Sequence, residues 1–419
     1  MRWGKIPRLS LARGEFVKVY GPMHITITKG SVSILWRTFR EGESLVVHKS
    51  RNYIIEALED SELDVNMSNE STIQPLDEQD PYRMRVNLAL DVVSRGFKRI
   101  VVIGGTDSGK SSFSTLLVNI AMSTGLKPGL VDGDLGQSNI GPPGFISLGV
   151  PEKPVLWSSE IPVYAMKFIG DIRPQGYTHV IPREIKWLLN LAESAGCNIT
   201  VVDTDGWVKD PGAVYYKQHL VEVVEPDVIV VFGEGLSQYF KRYKLIGVEV
   251  YELPEPSARK IRSREERRLL RSMKYRDFLA NAPLRRIPMD SILINGHPLF
   301  HGYPVDASML EGLVEGKVVY ASRIHGELNI YGSIKAVSRE ELAKKLGVSE
   351  VRVHNLGFEK GVYCSVGSLR GGDYPCLLEK LDFESKQVLV RTGFQGKIDI
   401  LKLSPIRLRE DYSEEYIGA

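Results

Sequence analysis

The segment Gly104–Ser112, with the sequence GGTDSGKSS, constrains the fold of this chain more than any other stretch. It matches the pattern G-x-x-x-x-G-K-[ST] through Gly104, Gly109, Lys110 and Ser111. An apolar run precedes it and a helix-like pattern follows, and this strand–loop–helix context is what the motif requires. The glycines let the loop curl with its N–H groups facing inward, where a helix N-terminus also favours anions. The segment therefore predicts a site for a nucleoside triphosphate.

The nine residues of this loop are the predicted nucleotide ligands. Lys110 is expected to reach the β- and γ-phosphates, and Ser111 to hold Mg²⁺ through its hydroxyl group. ATP and Mg²⁺ are the expected cofactors. A guanine-nucleotide switch is less expected, because the chain has no N-K-x-D motif for guanine. The predicted ligands are Gly104, Gly105, Thr106, Asp107, Ser108, Gly109, Lys110, Ser111 and Ser112.

Hydrophobic patterning predicts an α/β fold around this loop. Four runs rich in Val and Ile are typical of buried strands, and two segments between them are typical of helices. This alternation predicts a parallel sheet with helices on both faces. The strands are predicted at Arg99–Gly105, Pro128–Asp134, Ile199–Gly206 and Asp227–Gly233, and the helices at Ser111–Thr124 and Pro182–Ala195.

Short alternating strands separated by turns occur on both sides of this core. They fill the first ~75 residues, end at a polar stretch, and return from about residue 289 onward. We therefore expect an N-terminal β-rich domain at residues 1–78, a P-loop domain at 79–288 and a C-terminal β-rich domain at 289–419.

Two aspartates follow the second predicted strand of the core, in LVDGDLGQSNIGPPG. Carboxylates at the carboxyl end of a strand beside a phosphate loop face the active crevice. If the strand persists, Asp132 and Asp134 share one face. We expect Asp134 to orient an acceptor hydroxyl, take its proton and help to place the metal. The alternative is that both aspartates only form a turn, because Asp-Gly is a common turn pair.

The third strand of the core ends in VVDTDGW, which brings Asp203, Thr204, Asp205, Gly206 and Trp207 to the same edge. A tryptophan beside a catalytic crevice can stack on a nucleobase. The alternative is a tryptophan that belongs to the core, which is the more frequent location of this residue type.

The most polarised stretch lies between Arg259 and Arg286 and has eleven basic residues against three acidic ones. Arg262 and Arg267 lie in it on a predicted helix. Arginines placed over a γ-phosphate stabilise the charge that develops during phosphoryl transfer. The same side chains could hold the phosphates of a nucleic-acid strand, and a merely solvated basic helix is the third interpretation.

Composition narrows the class of protein. The net charge is +2 over 419 residues, which argues against a protein that coats nucleic acid along its whole surface. No apolar run approaches the roughly 20 residues that a membrane helix needs. We therefore expect no membrane association and an intracellular location, cytoplasmic or, in a eukaryote, nuclear. The three cysteines fit neither a disulfide framework nor a zinc site and are predicted to be thiols. The tail REDYSEEYIGA is predicted to fray.

Four ordered motifs resemble the polynucleotide 5′-hydroxyl kinases related to the RNA kinases of pre-mRNA 3′-end formation, tRNA splicing and pre-rRNA processing. The motifs are GGTDSGKSS, DGDLGQ, TDGW and RSREERR, and GDIRPQG is also similar. The resemblance spans roughly residues 99–277 and implies that β-rich domains flank the kinase core. By this resemblance, Lys110 and Ser111 bind ATP and Mg²⁺, Asp134 activates the 5′-hydroxyl, and Gln137 belongs to the same motif as Asp134. The resemblance also implies that Thr204, Gly206 and Trp207 form a clasp, and that Arg262 and Arg267 belong to a lid.

The resulting hypothesis is transfer of the γ-phosphate of ATP to the 5′-hydroxyl end of RNA, DNA or both. A small-molecule or nucleoside kinase would share the loop and the arginine lid, but would need a closed pocket for the whole acceptor. A non-catalytic, ATP-bound scaffold of an RNA-processing complex would be marked by a damaged catalytic set, and here that set is complete. Strand preference and protein partners stay open.

Overall fold

The computed structural model describes residues 8–49, 51–256 and 262–417. The chain forms two compact units. The first comprises residues 1–134, 147–164 and 178–262, and the second comprises residues 135–146, 165–177 and 263–419. The three-domain division at residues 78/79 and 288/289 stays a prediction.

The first unit begins with two antiparallel sheets that share one apolar core. Their strands alternate buried and partly exposed residues, as in Met23–Lys29, because successive side chains point to opposite faces. The sheet orders are β1-β8-β3-β6 and β5-β4-β7-β2-β9. The strands are β1 Arg8–Leu11, β2 Phe16–Tyr20, β3 Met23–Lys29, β4 Ser31–Ile34, β5 Arg37–Arg40, β6 Ser44–Val47, β7 Asn52–Ala57, β8 Ser61–Met67 and β9 Thr72–Pro75.

The rest of the first unit is a mostly parallel sheet with helices. Its order within the unit is β12-β11-β14-β10-β15-β16, with β12 antiparallel to β11. The central strands are buried on both faces, which explains their continuous Val and Ile runs. The elements are α1 Tyr82–Ser94, β10 Arg99–Gly104, α2 Lys110–Ser123, β11 Pro128–Gly133, β12 Phe145–Gly149, β13 Val163–Phe168, α3 Val180–Ser194, β14 Ile199–Thr204, α4 Pro211–Val224, β15 Val228–Phe232 and β16 Glu249–Leu253. Strand β13 starts in the first unit and ends in the second.

The second unit contains two further sheets. One has the order β17-β25-β24-β23-β26-β18, with β27 paired to β26, and the other has the order β19-β20-β21-β22. Each sheet has its own apolar cluster. The elements are α5 Arg264–Leu279, β17 Leu284–Pro288, β18 Leu293–Asn295, β19 Tyr303–Pro304, β20 Val314–Ile324, β21 Glu327–Val337, α6 Arg339–Leu346, β22 Glu350–Asn355, β23 Val362–Gly367, β24 Asp373–Asp382, β25 Gln387–Thr392, β26 Ile400–Leu408 and β27 Glu414–Tyr416.

The predicted α/β class with β-rich flanking regions is confirmed. In the described residues, no helix is long and apolar enough to cross a membrane.

Two predictions about the second unit are wrong. Cys364 and Cys376 form a disulfide rather than two thiols, because the antiparallel register of β23 and β24 places them directly opposite each other. Over residues 409–417 the tail does not fray, because its strand β27 pairs with β26 and the carboxylate of Glu414 forms an ion pair with Arg271. Of the three cysteines, Cys197 alone is free and lies buried.

Two local predictions near the candidate site also need correction. Strand β11 ends at Gly133, so Asp134 lies just beyond it and does not continue the face of Asp132. Arg262 is not on the basic helix, because Ser263 forms the N-cap of α5 and closes a capping box with Glu266. Arg259 and Lys260, also part of the basic run, lie outside the described residues.

Candidate functional site

The phosphate loop lies between β10 and α2 in the first unit. Gly109 is the N-cap of α2 and has φ +101°, a left-handed conformation that favours glycine. Asp107 also has a positive φ, +56°. A side chain at Gly104 would place its Cβ 2.7 Å from the Cβ of Phe232, which explains why glycine is needed there. The loop therefore has the backbone shape that aims N–H groups at an anion.

Lys110 begins helix α2 and lies inside the loop. Its side chain is buried, and Nζ donates a hydrogen bond to the carbonyl oxygen of Gly105 at 2.7 Å. A buried ammonium group needs hydrogen-bond acceptors or negative charge around it. The phosphates of a nucleotide bound in this loop would supply both.

Asp203, the next-to-last residue of β14, faces the start of α2. In the sheet, Asp203 pairs in register with Val102 of β10 and with Asp132 of β11, which sets it beside the phosphate loop. Burial raises its pKa to about 7, while the charge of Lys110 and a hydrogen bond from the Ser111 side chain act to lower it. The sequence analysis placed Asp203 at the edge of the sheet but assigned it no role.

Two more carboxylates belong to the same edge of the sheet. Asp132 is buried at the end of β11, and its Oδ1 accepts a hydrogen bond from the backbone N–H of Asp134 at 3.2 Å. The charges of Asp132 and Asp134 both act on Asp203 and raise its pKa. Asp132 thus does form a turn, and that turn carries Asp134 toward the other carboxylates.

The loop that follows β14 contacts the phosphate loop directly. The Thr204 hydroxyl donates a hydrogen bond to the carbonyl oxygen of Val102 at 2.9 Å, which ties the end of β14 to β10. A Cβ added to Gly206 would lie 2.8 Å from the backbone nitrogen of Thr106. Since real Cβ atoms avoid such distances, only glycine lets this loop lie against Thr106.

Trp207 is partly exposed and is held by its neighbours. Its backbone N–H donates to Asp205 Oδ1 at 2.9 Å, and its indole N–H donates to Asp210 Oδ2 at 2.5 Å. One ring face stacks on Tyr216, with centroids 5.8 Å apart. The indole N–H is therefore engaged, and a nucleobase would have to use a ring face.

The remaining predicted site residues fall at the boundary of the units or in the second one. Arg262 ends the first unit. The pKa of Arg51 is lowered to about 9, mainly because Arg51 is buried and also because of the positive charge of Arg262. Gln137 and Arg267 belong to the second unit. There, Lys274 of α5 donates a hydrogen bond to the carbonyl oxygen of Asn139 at 2.6 Å, which joins α5 to the segment that carries Gln137.

The structure thus brings the phosphate loop, Asp134, Thr204, Gly206 and Trp207 together within one unit. The sequence analysis missed Asp203 and the residues of α4 that hold the loop after β14. A signal for Asp203 exists, because it directly precedes Thr204 at a strand end beside the motif. The sequence carries no comparable signal for α4, whose contacts depend on tertiary packing.

The described residues fit Mg²⁺ better than a metal held by protein ligands alone. They contain no group of three or more His, Cys, Asp or Glu side chains arranged to hold a metal. Mg²⁺ is usually bound by one or two carboxylates together with substrate phosphates and waters. Asp203 Oδ1 is buried and has no hydrogen-bond partner among the described residues, while the same side chain meets the hydroxyl of Ser111. This pair is a suitable donor set.

Comparison with known proteins finds a family model that covers the phosphate loop. Residues 104–281 match the family model described as the mRNA cleavage and polyadenylation factor CLP1 P-loop. A polyribonucleotide 5′-hydroxyl-kinase of Thermococcus kodakarensis is 36% identical over 209 residues, which cover 50% of this chain and 59% of the relative. One of Methanocaldococcus jannaschii is 27% identical over 336 residues, covering 76% of this chain and 89% of the relative.

Solved structures show the same fold. The structure of a Clp1p–Pcf11p complex matches with a TM-score of 0.64 at 13% identity, covering 97% of this chain and 98% of that chain. At such low identity the likeness establishes the fold alone. The P-loop match and the named relatives add that residues 104–281 are similar to the CLP1 P-loop model and that the chain is similar to proteins named polyribonucleotide 5′-hydroxyl-kinases.

Proposed function

We propose that this protein transfers the γ-phosphate of ATP to the 5′-hydroxyl end of RNA. The observation that carries the proposal is the position of Asp134. Its charge acts on Asp203 beside the phosphate loop and on Lys217 and Tyr216 beneath Trp207. Asp134 is therefore within electrostatic range of Asp203, beside the loop suited to a triphosphate, and of the α4 residues that hold the tryptophan suited to a base. The names of the relatives support RNA as the acceptor.

Each step of the transfer has a residue for it. The loop N–H groups and Lys110 bind the β- and γ-phosphates and orient the γ-phosphorus for in-line attack. Asp134 accepts the proton of the 5′-hydroxyl group as its oxygen bonds to phosphorus, and the bond to the ADP oxygen breaks. Ser111 and Asp203 would hold Mg²⁺, with Asp134 nearby. When bound, Mg²⁺ neutralises charge on the phosphate oxygens.

Arg262 and Arg267 are proposed to act on the same phosphates. Arginine stabilises the charge spread over the transferring group, and its rigid guanidinium matches phosphate oxygens in a bidentate way. Gln137 is proposed to contact the substrate, since it lies in the segment that α5 contacts through Lys274.

The substitution Asp134→Asn tests the proposal. It keeps the size of the side chain but removes the proton acceptor, so we expect ATP binding to persist while transfer falls by about 100-fold or more. Asp91→Asn, at an exposed position on α1, is the matched control and should leave both unchanged. The assay is transfer of labelled γ-phosphate to 5′-hydroxyl oligonucleotides of RNA and DNA with the same sequence. Full activity in Asp134→Asn would remove the assigned base.

The same assay separates the alternatives. If a free nucleoside accepts phosphate as well as the oligonucleotide does, the protein is a small-molecule kinase. If the wild-type chain binds ATP but labels no acceptor, with Mg²⁺ present, it is a scaffold.

A further inference from the structure

The loop after β14 is held in place by the buried carboxylate of Asp205. The carboxylate of Asp205 accepts three hydrogen bonds: its Oδ1 accepts one from the backbone N–H of Trp207 at 2.9 Å, and its Oδ2 accepts one from Tyr216 Oη at 3.0 Å and one from Lys217 Nζ at 2.7 Å. Lys217 Nζ also reaches the backbone oxygen of Asp205 at 3.2 Å. Every one of these donors belongs either to the loop itself or to helix α4.

The ion pair between Lys217 and Asp205 is almost completely removed from solvent. The Lys217 side chain is 1% exposed and that of Asp205 is 6% exposed. Two charges out of water are tolerated only when their geometry and hydrogen bonds are complete, and removal of one leaves the other uncompensated. The pair therefore fixes Asp205 in one position relative to α4.

Helix α4 also holds the indole of Trp207. Tyr216 stacks on the ring with an interplanar angle of 25°. Asp210 accepts the indole N–H through Oδ2, and through Oδ1 it accepts the backbone N–H of Ala213 as the N-cap of α4. The ring is thus tied to the start of the helix by the same side chain that caps it.

We propose that α4 is the positioning element of the acceptor site, in which Lys217, Tyr216 and Asp210 hold Trp207 in the orientation that receives the first nucleotide of the RNA 5′ end. This inference rests on the proposed function. None of the three residues needs to touch the reacting atoms, so they are positioning residues. The Coulomb interaction of Lys217 with both Lys110 and Asp134 places this anchor next to the reacting centre.

The substitution Lys217→Met tests the inference in the full chain. Methionine keeps the length and volume of the side chain but leaves Asp205 without its partner, so Trp207 loses its fixed orientation. We expect the KM for a 5′-hydroxyl RNA oligonucleotide to rise about 10-fold or more, while kcat and the KM for ATP change less than about 3-fold. Tyr216→Phe keeps the stacking but removes one hydrogen bond, and a smaller rise in the RNA KM is expected.

The matched control is Lys186→Met, which removes a lysine of α3 from an ion pair with the exposed Glu225. It should change none of these constants. Asp205→Asn combined with Lys217→Gln replaces the charged pair by a neutral hydrogen-bonded one, and should restore most of the RNA KM. A thermal melt of each variant with ATP bound shows whether the fold has survived.

A readout that does not need catalysis separates this inference from the proposed function. The emission of Trp207, obtained by subtraction of the Trp207→Phe variant, should become more accessible to acrylamide in Lys217→Met. If the wild-type chain labels no RNA but this change in quenching is seen, the kinase proposal fails and the positioning role of α4 stands. The inference is overturned if quenching and the RNA KM both match those of Lys186→Met. It is also overturned if only kcat falls, in proportion to the folded fraction, while the RNA KM is unchanged.

Discussion

Asp203 makes the free energy of unfolding depend on pH in a way that can be calculated. Burial raises its pKa from 3.8 to about 7 in the folded chain. At pH values between 3.8 and about 7, the folded state therefore keeps a proton that the unfolded state has lost. The stabilising contribution of the protonated Asp203 carboxyl group to the free energy of unfolding is fully present below the unfolded pKa and is lost as pH rises toward about 7. At 1.36 kcal/mol per pKa unit, a shift of roughly 3 units corresponds to about 4 kcal/mol over the whole range.

The substitution Asp203→Asn removes this contribution while it keeps the shape of the side chain. The variant should gain stability relative to the wild type as pH rises, by about 3 kcal/mol between about pH 5 and about pH 8, with little further change above that. The nucleotide-free chain is unfolded with urea at several pH values, and the difference between variant and wild type is plotted, which cancels the other titrating groups. Asp91→Asn on the surface of α1 is the control.

A difference that stays constant across this range would refute the reasoning, because it would show that Asp203 is ionised in the folded chain at all of these pH values. Measurements extended down to about pH 2 would then show whether the wild type gains stability over the variant between about pH 2 and about pH 4, as it would if Lys110 and Ser111 stabilised the carboxylate more than burial destabilises it. Addition of Mg²⁺ and ATP should reduce the advantage of the variant, since the cation favours the ionised form.

Two further predictions concern packing and covalent structure. Gly206→Ala should raise the dissociation constant for ATP by about 10-fold or more, because the new Cβ would lie 2.8 Å from the nitrogen of Thr106 and displace the phosphate loop. Gly393→Ala is the control, since a Cβ there would meet no atom within 4 Å. Equal ATP affinities of the two variants would contradict the contact between Gly206 and Thr106. Reduction of the Cys364–Cys376 disulfide should lower the free energy of unfolding by about 3 kcal/mol in the chain-entropy model, and a thiol titration that finds three thiols in the denatured, unreduced chain would rule the bond out.

The local parts of the site were predictable from the sequence. A strand, a glycine-rich loop and a helix follow one another within 25 residues, from Arg99 to Ser123. Neighbouring residues fix both the motif and its context, so the position of Lys110 and Ser111 needs no knowledge of the tertiary fold. The β-rich character of both ends was predictable for the same reason, since alternation is a property of each strand.

The parts that depend on sheet order were not predictable. Asp203 acts beside the phosphate loop because β14 lies next to β10 in the sheet, although about 100 residues separate them in the chain. The disulfide depends on the register between β23 and β24, and a shift of one residue would send the two sulfur atoms to opposite faces. Lys217 is unremarkable as a lysine on an amphipathic helix until its burial against Asp205 is seen.

The ion pair between Arg271 and Glu414 has a practical consequence for handling the protein. It attaches the basic helix α5 to the three-residue strand β27, and both side chains are largely buried. The loop from β26 to β27 spans residues 409–413 and includes the basic Arg409, a residue type that trypsin recognises. A nick there would leave the phosphate loop and its unit intact but would release the strand that supports the helix carrying Arg267. Preparations should therefore be checked by intact mass before weak activity in the phosphate-transfer assay is taken as a property of the full chain.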